Sequence, residues 1–318
     1  SIDLPVEKTA SVATLTINYS RPGLRDLIDA ISKDLLPEEM AATKALIMPP
    51  KQSPEIDDIS RITSLNAIRA AIGAEWLGDV LRESRLNSAF QPIFPISDFT
   101  APYGHECLLR GVAADGSEIT PGQLFDAAQS ATLLFQLDRA ARAANVRNAH
   151  KVGVTGNLFI NFTPSSIYDP DFCLRSTIEV VEECQIDRSS IVFEVIETEK
   201  VRSTSHLGHI LRSYRDSGFR VALDDVGSGY STLNMLPDLR PDIIKIDREL
   251  IDHVDHDNYK QAIVSKLIDL AKQLGIEVIA EGIERQEELD FLTEHKVDYV
   301  QGFLLGRPGP KPFTTGRA

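Results

Sequence analysis

A repeated change of hydrophobic period restricts the fold of this chain more than any other feature. From Phe90 onward, short runs rich in β-branched residues alternate with stretches whose apolar residues recur near every 3.6 positions. That is the pattern of βα units in a parallel sheet. The runs expected as strands are Phe90–Phe94, Gly104–Leu109, Leu158–Phe162, Ile191–Ile196, Arg220–Val226, Asp242–Asp247, Glu277–Ile283 and Tyr299–Leu304. Eight such units in about 230 residues suit a (β/α)8 barrel of the α/β class better than an open doubly wound sheet, and no GxGxxG opens any of the helices.

The intervening helices carry their own stops. Leu207, Ile210, Leu211 and Tyr214 fall at i, i+3, i+4 and i+7, with Gly218 beyond them as a left-handed terminator. The stretch Gln261–Leu274 repeats the design, placing Ile263, Leu267, Leu270, Ala271 and Leu274 on one side before Gly275. Thr120-Pro121 reads as an N-cap followed by proline at the first helical position.

Residues 1–80 do not share this rhythm and form a separate N-terminal α or α/β segment, leaving 81–318 for the barrel domain. Val12–Ile17 is expected as a strand, and Leu24, Leu27, Ile28, Ile31 and Leu35 as one face of a helix. Met48–Asp58 reads as a linker, and a second helix over about Ile62–Arg85 leads into the barrel. Packing, dimerisation and sensory roles all remain open for this segment.

Charge and cysteine usage narrow the possible partners. The formal charge of −14 disfavours a nucleic acid polymer or an anionic membrane as ligand, so a small anion would need a local solution such as bound metal. Cys107, Cys173 and Cys184 form no CxxC pair, which argues against a disulfide framework or a zinc site and for a cytoplasmic setting. No apolar run reaches membrane-spanning length, and no signal peptide is evident. The start at Ser1 is what a piece of a longer protein would show.

In such a barrel, polar residues at the C-terminal strand ends converge on one mouth. Those ends carry Glu106, Asn161, Glu194 with Glu197, Asp224 with Asp225, Lys245 with Asp247, Glu281 with Glu284, and Gln301. Several carboxylates in one partly dehydrated mouth need cations to stay ionised, and an oxygen-only set points to Mg2+ or Mn2+. Neighbouring Asp224 and Asp225 can share a site only where their strand is ending, at Gly227-Ser228-Gly229. The pair could then bridge two metals, the arrangement that clamps the attacking and leaving oxygens of a phosphodiester. Taken singly, Lys245 reads as a structural ion pair, Asn161 as a capping amide, and His253 with His256 as a solvated surface feature.

The ordered segments GHECLLRG, INFTP, FEVIETE, VALDDVGSGYSTL, DIIKIDREL, VIAEGIE and DYVQGFLLGRP resemble the motifs of the EAL-domain phosphodiesterases, over about residues 85–310. The resemblance implies a TIM-like barrel with its first strand antiparallel, two metal ions, hydrolysis of cyclic di-GMP to linear pGpG in second-messenger signalling, and a homodimer. It implies Glu106, Asn161, Glu194 and Asp224 as ligands of one metal, and Asp224, Asp225 and Glu281 as ligands of the other. Lys245 matches the lysine at the attacking water, and Glu281 has a lesser claim as a base. Gln91, Leu108, Arg110, Asp247, Glu284 and Gln301 match substrate-side positions, and Glu197 matches the acid that steadies the loop Asp225–Ser231.

The signature tripeptide is Glu106-Cys107-Leu108 in place of Glu-Ala-Leu, Ile196 replaces a common threonine, and Val226 and Ser228 replace a usual Phe and Thr. Alternation along the strand sends Cys107 away from the barrel interior, toward the helices. The alternative reading is a receptor that binds cyclic di-GMP without cleaving it and signals through the N-terminal segment. Enolase-like proton abstraction by the same mouth is a third.

Overall fold

In the computed structural model the apolar runs become the eight strands of a closed sheet. They are β1 (Leu86–Pro95), β2 (Gly104–Val112), β3 (Asn157–Phe162), β4 (Ile191–Ile196), β5 (Arg220–Val226), β6 (Ile243–Ile246), β7 (Glu277–Ala280) and β8 (Tyr299–Val300). Each strand pairs with the next, and β1 closes the ring against β8 and β2. It is antiparallel to both, whereas β2 through β8 run parallel. The reversed first strand is therefore present as expected. The structure describes residues 6–9, 12–15, 21–33, 35–47, 55, 57–58, 62–167, 169–196, 204–227 and 232–313.

The chain divides into two compact units, Ser1–Asp79 with Asp126–Leu133, and Val80–Phe125 with Leu134–Ala318. In the second unit the strands are covered on both faces, which is why they read as near-continuous Val, Ile and Phe runs. One set of alternate residues, including Ile160, Phe193, Val221, Leu223, Ile244 and Val278, belongs to the large apolar cluster of the helix layer. The other set, Ile93, Phe159, Val192, Ala222, Ile243 and Ile279, fills the barrel interior. Below it, Tyr103 stacks on Tyr299 at 3.8 Å, and Arg220 pairs with Glu277.

Period two fixes what stands above this interior layer. Two residues beyond Phe159, Val192, Ala222, Ile243 and Ile279 come Asn161, Glu194, Asp224, Lys245 and Glu281. The mouth is thus the next layer of the same stack.

The helices described between the strands include α1 (Leu134–Val152), α2 (Pro170–Glu183), α3 (Thr204–Asp216), α4 (Thr232–Leu239), α5 (Asn258–Leu274) and α6 (Gln286–Glu294). α5 starts three residues before the expected Gln261, because Asp257 accepts hydrogen bonds from the Tyr259 and Lys260 N–H groups. Its buried stripe is Val264, Leu267, Ile268 and Ala271, with Leu270 packed beside it, so the expected stripe holds at Leu267, Leu270 and Ala271 and fails at its two ends. Ile263 and Leu274 are 47% and 55% exposed. Gly218 and Gly275 take the left-handed conformation that ends α3 and α5, with φ of 91° and 70°. At Thr120-Pro121 the expected cap forms, with Thr120 N–H donating to Gln123 Oε1 at 2.9 Å.

The first unit contains a two-stranded hairpin, Val6–Thr9 with Val12–Leu15, whose second strand is the expected one as far as the described residues go. Its helices Arg21–Lys33, Pro37–Ala42 and Leu65–Gly73 enclose a small core of Ile28, Met40, Leu65 and Ile68. The helix expected over Ile62–Arg85 is two helices, Leu65–Gly73 and Glu75–Arg82. Ala74 breaks it, with ψ of 7°. Most of the expected linker Met48–Asp58 lies outside the described residues. No described helix is long and apolar enough to cross a membrane.

Candidate active site

Lys245 is the centre of the mouth. Its Nζ lies 2.6 Å from Glu194 Oε1, 2.6 Å from Glu281 Oε1, 3.3 Å from Asp224 Oδ1 and 3.7 Å from Glu106 Oε2. Glu106 is gripped from two further sides, by Asn161 Nδ2 at 3.2 Å on Oε1 and by Gln301 Nε2 at 2.7 Å on Oε2. Asp224, Asp225 and Glu281 each bring a carboxylate oxygen within 4.8 Å of the others. All six residues expected as metal ligands therefore meet in one place.

Three of them arrive by a route the sequence did not show. Glu106 is not at a strand end but third in the nine residues of β2, whose upper part continues past the parallel ladder to pair with β1. Asp224 and Asp225 lie where their strand is ending, as expected, and share the site through a β-bulge there. Between β5 and β6 the register runs Leu223↔Ile244 and then Val226↔Ile246, so β5 carries one extra residue there. Asp225 takes φ of 54°, a left-handed conformation that aspartate tolerates better than most residues.

Charge is concentrated and poorly hydrated here. Burial drives the Glu194 and Glu281 carboxyls well above the usual range, although Lys245 pulls them back. Burial, then Asp224 and Asp247, raise Asp225 to about 6. Burial alone would depress the Lys245 ammonium, yet Asp224, Glu106, Glu194 and Glu281 hold it well above its ordinary value. Five carboxylates against one ammonium leave an excess of negative charge that such a site cannot hold unaided.

The residues fit a hard divalent cation. Every potential ligand is an oxygen, the charge excess is large, and Glu194 Oε2 is sealed from solvent without a hydrogen-bond partner among the described residues. A second group of candidate ligand atoms, Asp252, His253 and Glu288, is already bonded within itself. His253 Nδ1 meets Asp252 at 2.8 Å, and Glu288 accepts the His253 N–H at 3.0 Å.

The residues expected on the substrate side are spread around the rim. Gln91 pairs opposite Glu106 on β1 and donates to Gly306 O at 3.3 Å. Leu108 and Arg110 share the face of Glu106 by alternation, and Arg110 Nε pairs with Glu118 at 3.3 Å. Asp247 caps a short helix through the Glu249 N–H at 2.8 Å and faces Asp225. Glu284 pairs with Arg248 at 3.0 Å. Gln301 sits deeper than a rim residue, 3% exposed and bonded to Glu106. Glu197, with residues 228–231 of the loop it was expected to steady, lies outside the described residues.

Sequence reasoning missed Arg248. Its side chain lies over Gly282, and its signal was a cation directly after Asp247. Cys107 faces the helix layer as alternation predicted, 1% exposed within the large apolar cluster.

Fold and mouth together define a TIM-like barrel protein with a cluster of carboxylates arranged around a buried lysine. The chain belongs to the EAL domain family, whose model matches residues 74–308. Among curated relatives, the probable cyclic di-GMP phosphodiesterase PdeG of Escherichia coli K12 is 31% identical over 252 residues, which are 76% of this chain and 48% of that protein. The bifunctional diguanylate cyclase/cyclic di-GMP phosphodiesterase MucR of Pseudomonas aeruginosa is 31% identical over 65% of this chain and 31% of its own length. The chain thus spans less than half of either relative. Among solved structures, a standalone EAL protein from Vibrio cholerae O395 in its c-di-GMP-bound form is 32% identical. The match has a TM-score of 0.65 and covers 73% of this chain and 95% of that one.

Proposed function

We propose that this chain is a phosphodiesterase that hydrolyses cyclic di-GMP to linear pGpG with the help of two divalent cations. The observation that carries the reading is the meeting of Glu106, Asn161, Glu194, Asp224, Asp225 and Glu281 around Lys245. The activities named for PdeG and MucR support it.

Glu106, Asn161, Glu194 and Asp224 would hold one ion, and Asp224, Asp225 and Glu281 the other. Bound there, Mg2+ or Mn2+ supplies the Lewis acidity that makes water a nucleophile at neutral pH and stabilises the departing oxygen. Lys245 stays protonated among its carboxylates, so it serves as a fixed positive charge toward the attacking water and the phosphate, and not as a base. Glu281 acts as a ligand before it acts as a base. Arg110 can exchange its exposed partner Glu118 for a phosphate oxygen, and Gln91, Leu108, Asp247, Glu284 and Gln301 line the remainder of the substrate's seat.

Residues 1–80 are read as a segment distinct from the barrel domain 81–318, the cytoplasm as the setting, and a homodimer as the assembly. Three free, buried cysteines agree with a reducing compartment. A dilution series checks the dimer, since full activity as a monomer would refute it.

The decisive experiment incubates the protein with cyclic di-GMP and Mg2+ or Mn2+, alongside Glu106→Ala. Production of pGpG by the parent alone is the expected result. No product with either metal would defeat the proposal, and tight binding without turnover would select the receptor reading.

A further inference from the structure

Helix α1 meets the barrel through a face that breaks the rule for its position. A helix lying on a parallel sheet ordinarily offers it an apolar stripe. On α1 the residues at i, i+4 and i+7 are Asp138, Arg142 and Asn145, which are 2%, 0% and 2% exposed. Burying such groups is tolerable only when each is fully bonded.

Their partners are specific. Asp138 Oδ1 accepts the Thr163 N–H at 2.8 Å, and Oδ2 pairs with Arg142. Asn145 Nδ2 donates to Cys107 O at 3.3 Å, while its Oδ1 accepts from Ser88 Oγ at 2.6 Å. Thr163 stands two residues beyond Asn161, and Cys107 one beyond Glu106. Asn161 and Glu106 are the two ligand candidates bonded directly to each other.

Both anchors fall where the ladder runs out. Pairing of β2 with β3 ends at Cys107↔Ile160, and pairing of β3 with β4 ends at Phe162↔Val195. Just beyond those points β3 has lost its ladder neighbours and β2 keeps only its antiparallel partner β1, so one side of each backbone needs another partner. Ligand side chains must be held to within about 0.5 Å of the productive geometry.

We propose that Asp138 and Asn145 are positioning residues, which fix Asn161 and Glu106 for a divalent cation by clamping the backbone beside each. The inference rests on the reading of the mouth as a metal-dependent site. Support of this kind typically changes metal affinity by about 10- to 100-fold.

The test measures Mn2+ binding to the full chain from the loss of the free-ion EPR signal, without nucleotide. Asn145→Leu keeps the branching and heavy-atom count of the side chain and removes both hydrogen bonds, and Asp138→Leu removes the acceptor of the Thr163 N–H. Thr177→Val is the control. It breaks the bond from Arg142 Nε to Thr177 Oγ1 in the same network, which touches no site strand. Both test variants are expected to bind Mn2+ about 10-fold or more weakly while still unfolding cooperatively, with the control within about twofold of the parent.

Should Asn145→Leu fail to fold, Asn145→Asp, which loses the donor to Cys107 O and keeps the acceptor of Ser88 Oγ while adding an acid, carries the same comparison. Unchanged Mn2+ affinity in the folded variants overturns the proposal, as does an equal loss in Thr177→Val. A parent that binds Mn2+ but leaves cyclic di-GMP intact defeats the proposed activity and leaves this inference standing.

Discussion

Lys245 Nζ lies 2.6 Å from Glu194 Oε1, and both side chains are closed to solvent. This ion pair ties β6 to β4 across the barrel at the level where the mouth begins. Removing one partner of a buried pair costs about 3–5 kcal/mol, because the charge left behind cannot hydrate. Lys245→Met is therefore expected to destabilise the metal-free protein by about 3 kcal/mol, with partial recovery in Mn2+. Its turnover should fall by at least about 100-fold. Thermal unfolding with and without Mn2+, beside an assay for pGpG, checks both statements.

The raised carboxyl of Asp225 makes stability fall with pH. It binds its proton more tightly folded, with a pKa of about 6, than at its ordinary 3.8. Its contribution is thus complete below pH 3.8 and is lost as pH rises through about 6. His105 works oppositely, since burial depresses its ring to about 4 from 6.5, so neutral pH favours the fold there. Comparing parent and Asp225→Asn separates the two. Between pH 5 and pH 7 the metal-free parent should lose more Tm than the variant, and saturating Mg2+ should remove the difference.

Gly282 takes φ of 71°, and a Cβ there would run into Arg248 Cγ. Gly282→Ala then carries both backbone strain and a clash beneath the Arg248–Glu284 pair. A loss of about 1–2 kcal/mol is expected from the backbone conformation alone, read from the urea midpoint. An unchanged midpoint would show that the loop has another conformation available.

Burial, with Glu194 and Glu106 nearby, pushes the Cys107 thiol well above its usual range. The native protein should leave this thiol unmodified by a thiol reagent that labels it once the chain is unfolded. Cys107→Ala should keep full activity and cost about 1 kcal/mol for the small void.

The barrel and the meeting of the candidate ligands were legible because strand burial writes continuous apolar runs, and period two then places Asn161, Glu194, Asp224, Lys245 and Glu281 in one layer. Other features depend on register or phase, which a single strand does not encode. The position of Glu106 follows from how far β2 overruns β3. Ile263 and Leu274 were placed on the wrong side of α5 because a 17-residue helix offers more than one apolar arc. Asp138 and Asn145 carry no signal of their own, since nothing in the sequence says which backbone groups lack a ladder partner.

The bulge at Asp224 and Asp225 has a consequence for how this protein can fail. Deleting a single residue there would let β5 pair with β6 without interruption, giving a sheet more regular than the native one. Such a chain would lose a carboxylate and the side-by-side presentation of the pair, yet it would gain unbroken pairing and shed a left-handed residue. Loss of activity would then come with a better-ordered barrel, so screening for solubility or thermal resistance would enrich the inactive form.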